Sequence, residues 1–300
     1  MTHTTAADTR DAGLAAQYEA YPYPERDPQD ENTRLLIGSP SHLREVDYWV
    51  FGAQRPRSQA LRVLVAGCGT GDGAIMLATQ LARAARPAEI ICLDRSAKAL
   101  EIAQARAQKR ALKNIRFVQG SLTELKMLDL GMFDYIDCCG VLHHLPDPAA
   151  ALQSLERHLA PQGGMGLMVY APYGRTGVYM LQDALAELAP LTHTPQERLD
   201  VARRIMRNLP ATAWLRQNGN FGDHLSGGDS GLYDLLLNPR DRSYTVADFL
   251  TLLDQAGLEP TALMEPARYD PALFLPDPRL RARLATLPWH TQAAIAEDLA

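Results

Sequence analysis

The chain has 300 residues, 46% of them apolar and 22% charged, which excludes a disulfide-stapled miniature and a disordered chain and leaves one large domain or two ordinary ones. The 30 Lys and Arg residues against 35 Asp and Glu give a net charge of −5. The cations are scattered, so the clustered charge that holds duplex nucleic acid or an anionic membrane is missing.

The first twelve residues are polar, lack the apolar core of a secretory signal, and predict a loose tail. Residues 1–60 form a tail and an aromatic segment, Tyr18-Glu-Ala-Tyr21-Pro22-Tyr23-Pro24, where prolines hold the backbone extended and the tyrosines need something to cover. From residue 61 to 171 short apolar runs alternate with helical patterns, which predicts an α/β fold with a mostly parallel sheet flanked by helices. The strands expected are 63–66, 90–93, 115–119, 135–139 and 166–170. Leu100, Ala103, Ala107 and Ala111 make a helical stripe. Ser96 and Asp147 with Pro148 predict two helix starts, and Pro161 with Gly163 and Gly164 predicts a turn before the fifth strand. Residues 172–257 read as a helical lid or substrate insertion broken by the glycine-rich stretches 218–224 and 226–231. Leu258–Glu265 reads as a sixth strand, followed to residue 300 by a proline-rich, short-helical segment. No apolar run is long enough to cross a bilayer. Cys68, Cys92, Cys138 and Cys139 show neither loop pairing nor zinc knuckles, which fits a reducing cytoplasm.

The densest chemical pattern is Val63-Leu-Val-Ala66-Gly67-Cys-Gly69-Thr-Gly71-Asp-Gly73, a buried strand entering a glycine loop and then a helix. Glycines there let the backbone turn sharply and approach a ligand without a Cβ between. Asp94 closes the next strand, where a carboxylate accepts hydrogen bonds from both ribose hydroxyls of a nucleoside.

With Phe133-Asp-Tyr-Ile-Asp-Cys-Cys-Gly140-Val-Leu-His143-His144-Leu-Pro-Asp147 and Leu159-Ala-Pro-Gln-Gly-Gly164 in the same order, the chain resembles the class I S-adenosylmethionine-dependent methyltransferases. Its aromatic arm resembles that of a poorly characterised bacterial branch of them. The resemblance covers 61–170 and implies a Rossmann-like sheet with S-adenosylmethionine as cofactor. It puts Gly67, Gly69 and Gly71 under the methionine part, Asp94 on the ribose, and Gly120, Ser121 and Leu122 beside the adenine. Ala66 and Gly140 complete the expected cofactor set. Ser121 stands where the family often has an aspartate for the adenine amino group, and Arg95 replaces a usual apolar residue and offers a flat guanidinium to stack on adenine. The family's seventh strand is expected either near Pro271–Leu275 or beyond residue 300.

Methyl transfer from a sulfonium needs positioning, exclusion of water and, for a protonated acceptor, a base. His143 and His144 are the candidate bases, the alternative being that both only stabilise the loop. Tyr18 and Tyr21 of the arm, Tyr170, Tyr173, Arg175 and Tyr179 after the fifth strand, and His224 in the glycine-rich stretch are candidate acceptor contacts. Arg175 can bind a carboxylate of the substrate or one within the fold. Asp223, His224 and Asp229 have ligand chemistry, but a solvated loop explains them and no metal is expected. The acceptor expected is a small molecule or a peptide or protein. A non-catalytic binder of the same cofactor is the alternative from another class, and a nicotinamide oxidoreductase follows if Gly69-x-Gly71-x-x-Ala74 is taken as the fingerprint.

Overall fold

The computed structural model describes residues 6–300 apart from Phe221. Helix α1 (Ala6–Ala20) precedes an irregular stretch, and β1 (Leu61–Ala66), α2 (Asp72–Arg83), β2 (Ala88–Asp94), α3 (Ala97–Lys109), β3 (Ile115–Gln119), β4 (Phe133–Cys139), α4 (Pro148–Glu156) and β5 (Leu159–Met168) follow. The five strands are all parallel in the order β3-β2-β1-β4-β5. Beyond the sheet come α5 (Val178–Leu188), α6 (Pro195–Asn208), α7 (Gly228–Leu237), α8 (Val246–Gln255), α9 (Pro278–Leu284) and α10 (Trp289–Leu299).

The apolar strands are continuous because helices cover both faces of a parallel sheet. Leu64, Ile91, Leu93 and Ile136 pack on one face with Leu152 and Leu155 of α4 and Leu252 and Leu253 of α8. Val63, Val65, Ile90 and Cys92 pack on the other with Leu77, Ala78 and Leu81 of α2. The region after β5 has its own core, in which Val178, Leu185, Leu199, Ala202, Tyr233 and Leu236 meet. Ser96 caps α3 by accepting the Ala99 N–H at 3.1 Å. Asp147 caps α4 through the Ala150 N–H at 2.9 Å, with Pro148 in the first turn.

Four expectations change. The tail is helical from Ala6, with Leu14 and Gln17 buried against the rest of the chain, while its first five residues lie outside the described residues. Pro161–Gly164 lies inside β5, which starts at Leu159: pairing jumps from Phe133↔Leu159 to Tyr135↔Gly164, so an irregularity in the edge strand takes up the residues expected to turn. Residues 258–265 form no strand, and among the described residues the sheet ends at β5. Pro260 lacks the N–H a ladder needs, while Leu258 still packs on the core. Pro271–Leu273 is a 3₁₀ turn and supplies no further strand.

Candidate functional site

A cavity of about 860 Å³ opens above the carboxyl ends of β1, β2 and β4 and is roofed by α1 and the arm that follows it. This is where an open parallel sheet leaves a crevice, because the strand order reverses on either side of β1. Gly67 and Gly69 form its floor with φ of +76° and +52°. A Cβ on Gly67 would sit 2.5 Å from Val141 Cγ2, and one on Gly69 would sit 2.6 Å from the Tyr23 carbonyl oxygen. Only glycine fits both the left-handed backbone and the space. Gly71, also left-handed, caps α2 behind the floor.

Asp94 accepts the Gly69 N–H at 2.7 Å and the Ser96 N–H at 2.9 Å, which fixes its carboxylate at the cavity wall. Burial pushes its carboxyl up, while those N–H groups oppose the shift. Arg95, Gly120, Ser121, Leu122 and Gly140 also line the cavity, and Ala66 is buried at the end of β1. Arg95 is turned to α1, paired with Asp11 at 3.0 Å. These are the residue types needed to hold a nucleoside with an aminoacyl tail: a glycine floor for close approach and a carboxylate for the ribose.

The arm is fastened over this floor. Thr70 Oγ1 donates to the Pro24 carbonyl at 2.7 Å, and Arg26 pairs with Asp72 at 2.6 Å. Arg106, 2% exposed at the side chain, pairs with Asp72 at 2.7 Å and with Glu31 at 2.6 Å, and Glu31 also holds Arg110.

On the β4–β5 side, His144, Tyr170, Tyr18, Tyr23, Asp223 and Asp234 face the same cavity. Asp234 is 3% exposed and accepts the Tyr18 hydroxyl at 2.9 Å and the Tyr170 hydroxyl at 3.4 Å. Burial pushes its carboxyl up, and burial beside it pushes both phenols up as well. His144 Nδ1 lies 2.8 Å from the Arg240 carbonyl, which assigns the proton to Nδ1 and leaves Nε2 as the acceptor.

The remaining sequence-predicted residues lie elsewhere. His143 is behind the wall, its ring 3.8 Å from that of Tyr170, with burial holding it well below the usual imidazole range. Arg175 pairs with Asp241 at 2.8 Å and lies over the outer face of the Tyr170 ring, so a carboxylate of the fold takes it. Tyr21 stacks on Tyr233, Tyr173 is exposed, and Tyr179 sits beside Arg175. His224 lines a separate, smaller pocket with Leu215 and Leu225, while Asp229 pairs with Arg203. Sequence reasoning missed Asp234, Ser41 and Asp137. Asp137, at the cavity wall on β4, is pushed up to about 6 by burial.

The family described as "Methyltransferase domain" matches residues 57–200. An uncharacterized protein of Synechococcus is 32% identical over 289 residues, covering 93% of this chain and 66% of that protein. A ubiquinone biosynthesis O-methyltransferase of Alkalilimnicola ehrlichii is 32% identical over 162 residues, 54% of this chain and 60% of the relative. One from Acinetobacter baylyi is 30% identical over 102 residues, 34% and 40% respectively. The chain thus spans less than two thirds of the length of these relatives. Among solved structures, PKMT2 from Rickettsia typhi in complex with AdoHcy superposes with a TM-score of 0.63 at 19% identity, over 87% of this chain and 50% of that one, which shows a shared fold. The methyltransferase-domain match over residues 57–200 and the shared fold support reading this chain as a class I S-adenosylmethionine-dependent methyltransferase.

Proposed function

We propose that this chain transfers the methyl group of S-adenosylmethionine directly to an amine nitrogen carried by a small molecule or by a peptide or protein. The bound cofactor supplies a methyl group on a sulfonium: the amine lone pair forms the new N–C bond as the C–S bonding pair leaves to sulfur. Gly67 and Gly69 admit the cofactor to the floor, and Asp94 holds its ribose.

The observation that carries the amine is the charge of the acceptor wall. Asp223 and Asp234 present carboxylates there, and Tyr18 and Tyr23 line the same wall with phenol rings, which attract a cation. Both arginines of the cavity lining, Arg26 and Arg95, are already held by Asp72 and Asp11. A carboxylate or phosphate acceptor would meet like charge, whereas an ammonium exchanges its water for these groups. Asp234 fixes the Tyr18 and Tyr170 rings through their hydroxyls. His144, with Nδ1 held by a carbonyl, keeps Nε2 to take the proton that the ammonium must lose before it can attack. The arm excludes water from above.

Incubating the protein with methyl-labelled donor and a cell extract tests this. Labelled N-methyl groups in the hydrolysate are expected, and separating small molecules from macromolecules identifies the carrier. Label on oxygen or sulfur overturns the amine. Saturable cofactor binding without labelling favours the non-catalytic binder, and nicotinamide binding in its place favours the oxidoreductase.

A further inference from the structure

The charged side chains buried around the cavity have partners of opposite charge or a network of phenols, except two carboxylates held by neutral donors: Asp94, proposed above for the ribose, and Asp137. Glu31 lies between two arginines, Asp72 between Arg26 and Arg106, and Asp234 among hydroxyls. Asp137, only 4% exposed, has two neutral donors: the Cys139 N–H at 3.0 Å on Oδ1 and the Ser41 hydroxyl on Oδ2. The titrating groups next to it on its own strand, Tyr135, Cys138 and Cys139, are neutral and are themselves pushed up by burial and by its charge. No Lys, Arg or His acts on its carboxyl. A carboxylate has about four acceptor directions, and two are used. An isolated buried carboxylate is costly unless something cationic completes it.

Its position says what that is. Asp137 pairs across β4 and β1 with Val65, two residues before Gly67. A Cβ built on Gly73, in the first turn of α2, would lie 3.0 Å from Asp137 Oδ2, so no side chain stands between the carboxylate and that turn. Asp94 lies on β2, on the other side of β1, and both carboxylates line the one cavity. A ligand with ribose hydroxyls at one end and an ammonium at the other meets both.

We propose that Asp137, set by Ser41, is the anchor for the α-ammonium of the cofactor's aminoacyl end. This rests on the reading that the cavity takes S-adenosylmethionine. The anchor fixes the sulfonium between two carboxylates on either side of the glycine floor, and it lets the protein tell the aminoacyl nucleoside from nucleosides that lack the amine.

Calorimetry with AdoHcy and its desamino analogue, which keeps the nucleoside, the thioether and the carboxylate, isolates that contact. The wild-type protein is expected to prefer AdoHcy by about 100-fold, the scale of a charge-assisted hydrogen bond. Asp137→Asn preserves shape and the Cys139 contact and is expected to bring the two ligands to within a few-fold of each other. Ser41→Ala is expected to keep the preference, since the carboxylate remains. An undiminished preference in Asp137→Asn, or an equal loss for both ligands, overturns the anchor. If the wild-type protein binds neither ligand, the cofactor reading itself fails. Should Asp137→Asn not fold, titrations of the wild-type protein at pH 6 in two buffers of different ionisation enthalpy decide: AdoHcy is expected to release a proton on binding and the desamino analogue is not, and equal proton release overturns the anchor.

Discussion

Replacing Gly69 by Ala tests the contact on which closure of the cavity depends. The new Cβ would stand 2.6 Å from the Tyr23 carbonyl oxygen, a backbone atom that no rotamer change removes. Carbon and oxygen normally approach no closer than about 3.3 Å, so the arm must withdraw by roughly 0.7 Å. The adjoining hydrogen bond from Thr70 Oγ1 to the Pro24 carbonyl, 2.7 Å long, stretches by a similar amount and loses most of its strength. That bond is worth about 1 kcal/mol. The left-handed backbone, with φ of +52°, adds about 1–2 kcal/mol for a residue with a Cβ. Tyr23 and Pro24 line the cavity, so the ~1 kcal/mol of the arm's bond falls on the closed arm and predicts AdoHcy affinity reduced about 5-fold, while the backbone strain lowers stability with or without ligand. Calorimetry measures it, with hydrogen exchange of residues 18–26 as the second readout, expected to quicken. Gly174→Ala is the control, because a Cβ there meets nothing within 4 Å. Wild-type affinity and unchanged exchange in Gly69→Ala would refute the steric argument.

Glu31→Gln removes the shared partner of Arg106 and Arg110 from a position 2% exposed at the side chain, and is expected to cost about 3 kcal/mol, read as a lowered urea midpoint. Asp94→Ala deletes the carboxylate proposed for the ribose and the acceptor of the Gly69 N–H, so AdoHcy affinity should fall about 100-fold; retained affinity would remove its ribose role. His144→Gln is expected to lower kcat by at least about 100-fold, whereas His143→Gln, altering a ring behind the wall, should leave kcat within a few-fold of the wild-type value. Asp137 gives a stability profile of definite sign. Burial pushes its carboxyl up to about 6 from the ordinary aspartate value of 3.8, so between them the folded state binds the extra proton. The Asp137 contribution to the stability of the ligand-free protein therefore falls as pH rises from about 4 to 6, by up to ~3 kcal/mol, and it is read as the difference between the wild-type protein and Asp137→Asn. Denaturant titrations across that range check it, with Tyr135, Cys138 and Cys139 neutral throughout.

What was legible in the chain was what is local in it. The glycine loop and Asp94 follow from a strand, a turn and a helix in immediate succession, and the chemistry of close approach demands those residue types. Asp234 sits in Leu-Tyr-Asp-Leu-Leu, a stretch that reads as a buried helix, and its partner Tyr18 is 216 residues away. Arg175 looked available because its partner, Asp241, lies 66 residues on. Pro161–Gly164 has turn composition, yet pairing with β4 draws it into an irregular edge strand, so tertiary context overrides the local preference. Asp137 did leave a signal: β4 carries two carboxylates, and while Asp134 lies at its start within reach of Arg55, Asp137 between Ile136 and Cys138 is a charge the sheet has no reason to bury.

The two halves of the cavity are built on different principles. The cofactor half stands on backbone: positive φ at Gly67 and Gly69, strand ends, and carboxylates fixed by N–H groups. The acceptor half is assembled from segments more than 200 residues apart, α1 and α7, joined by the bond from Tyr18 to Asp234, with Gln17 donating to the same carboxylate at 3.3 Å. Asp11 of α1 ties the halves together by pairing with Arg95 after β2 and Arg240 after α7. Each of these ion pairs has a partly exposed partner and contributes little alone. The acceptor wall can therefore change by substitution on α1 and α7 without disturbing the sheet that holds the cofactor, which is how one fold comes to serve many acceptors.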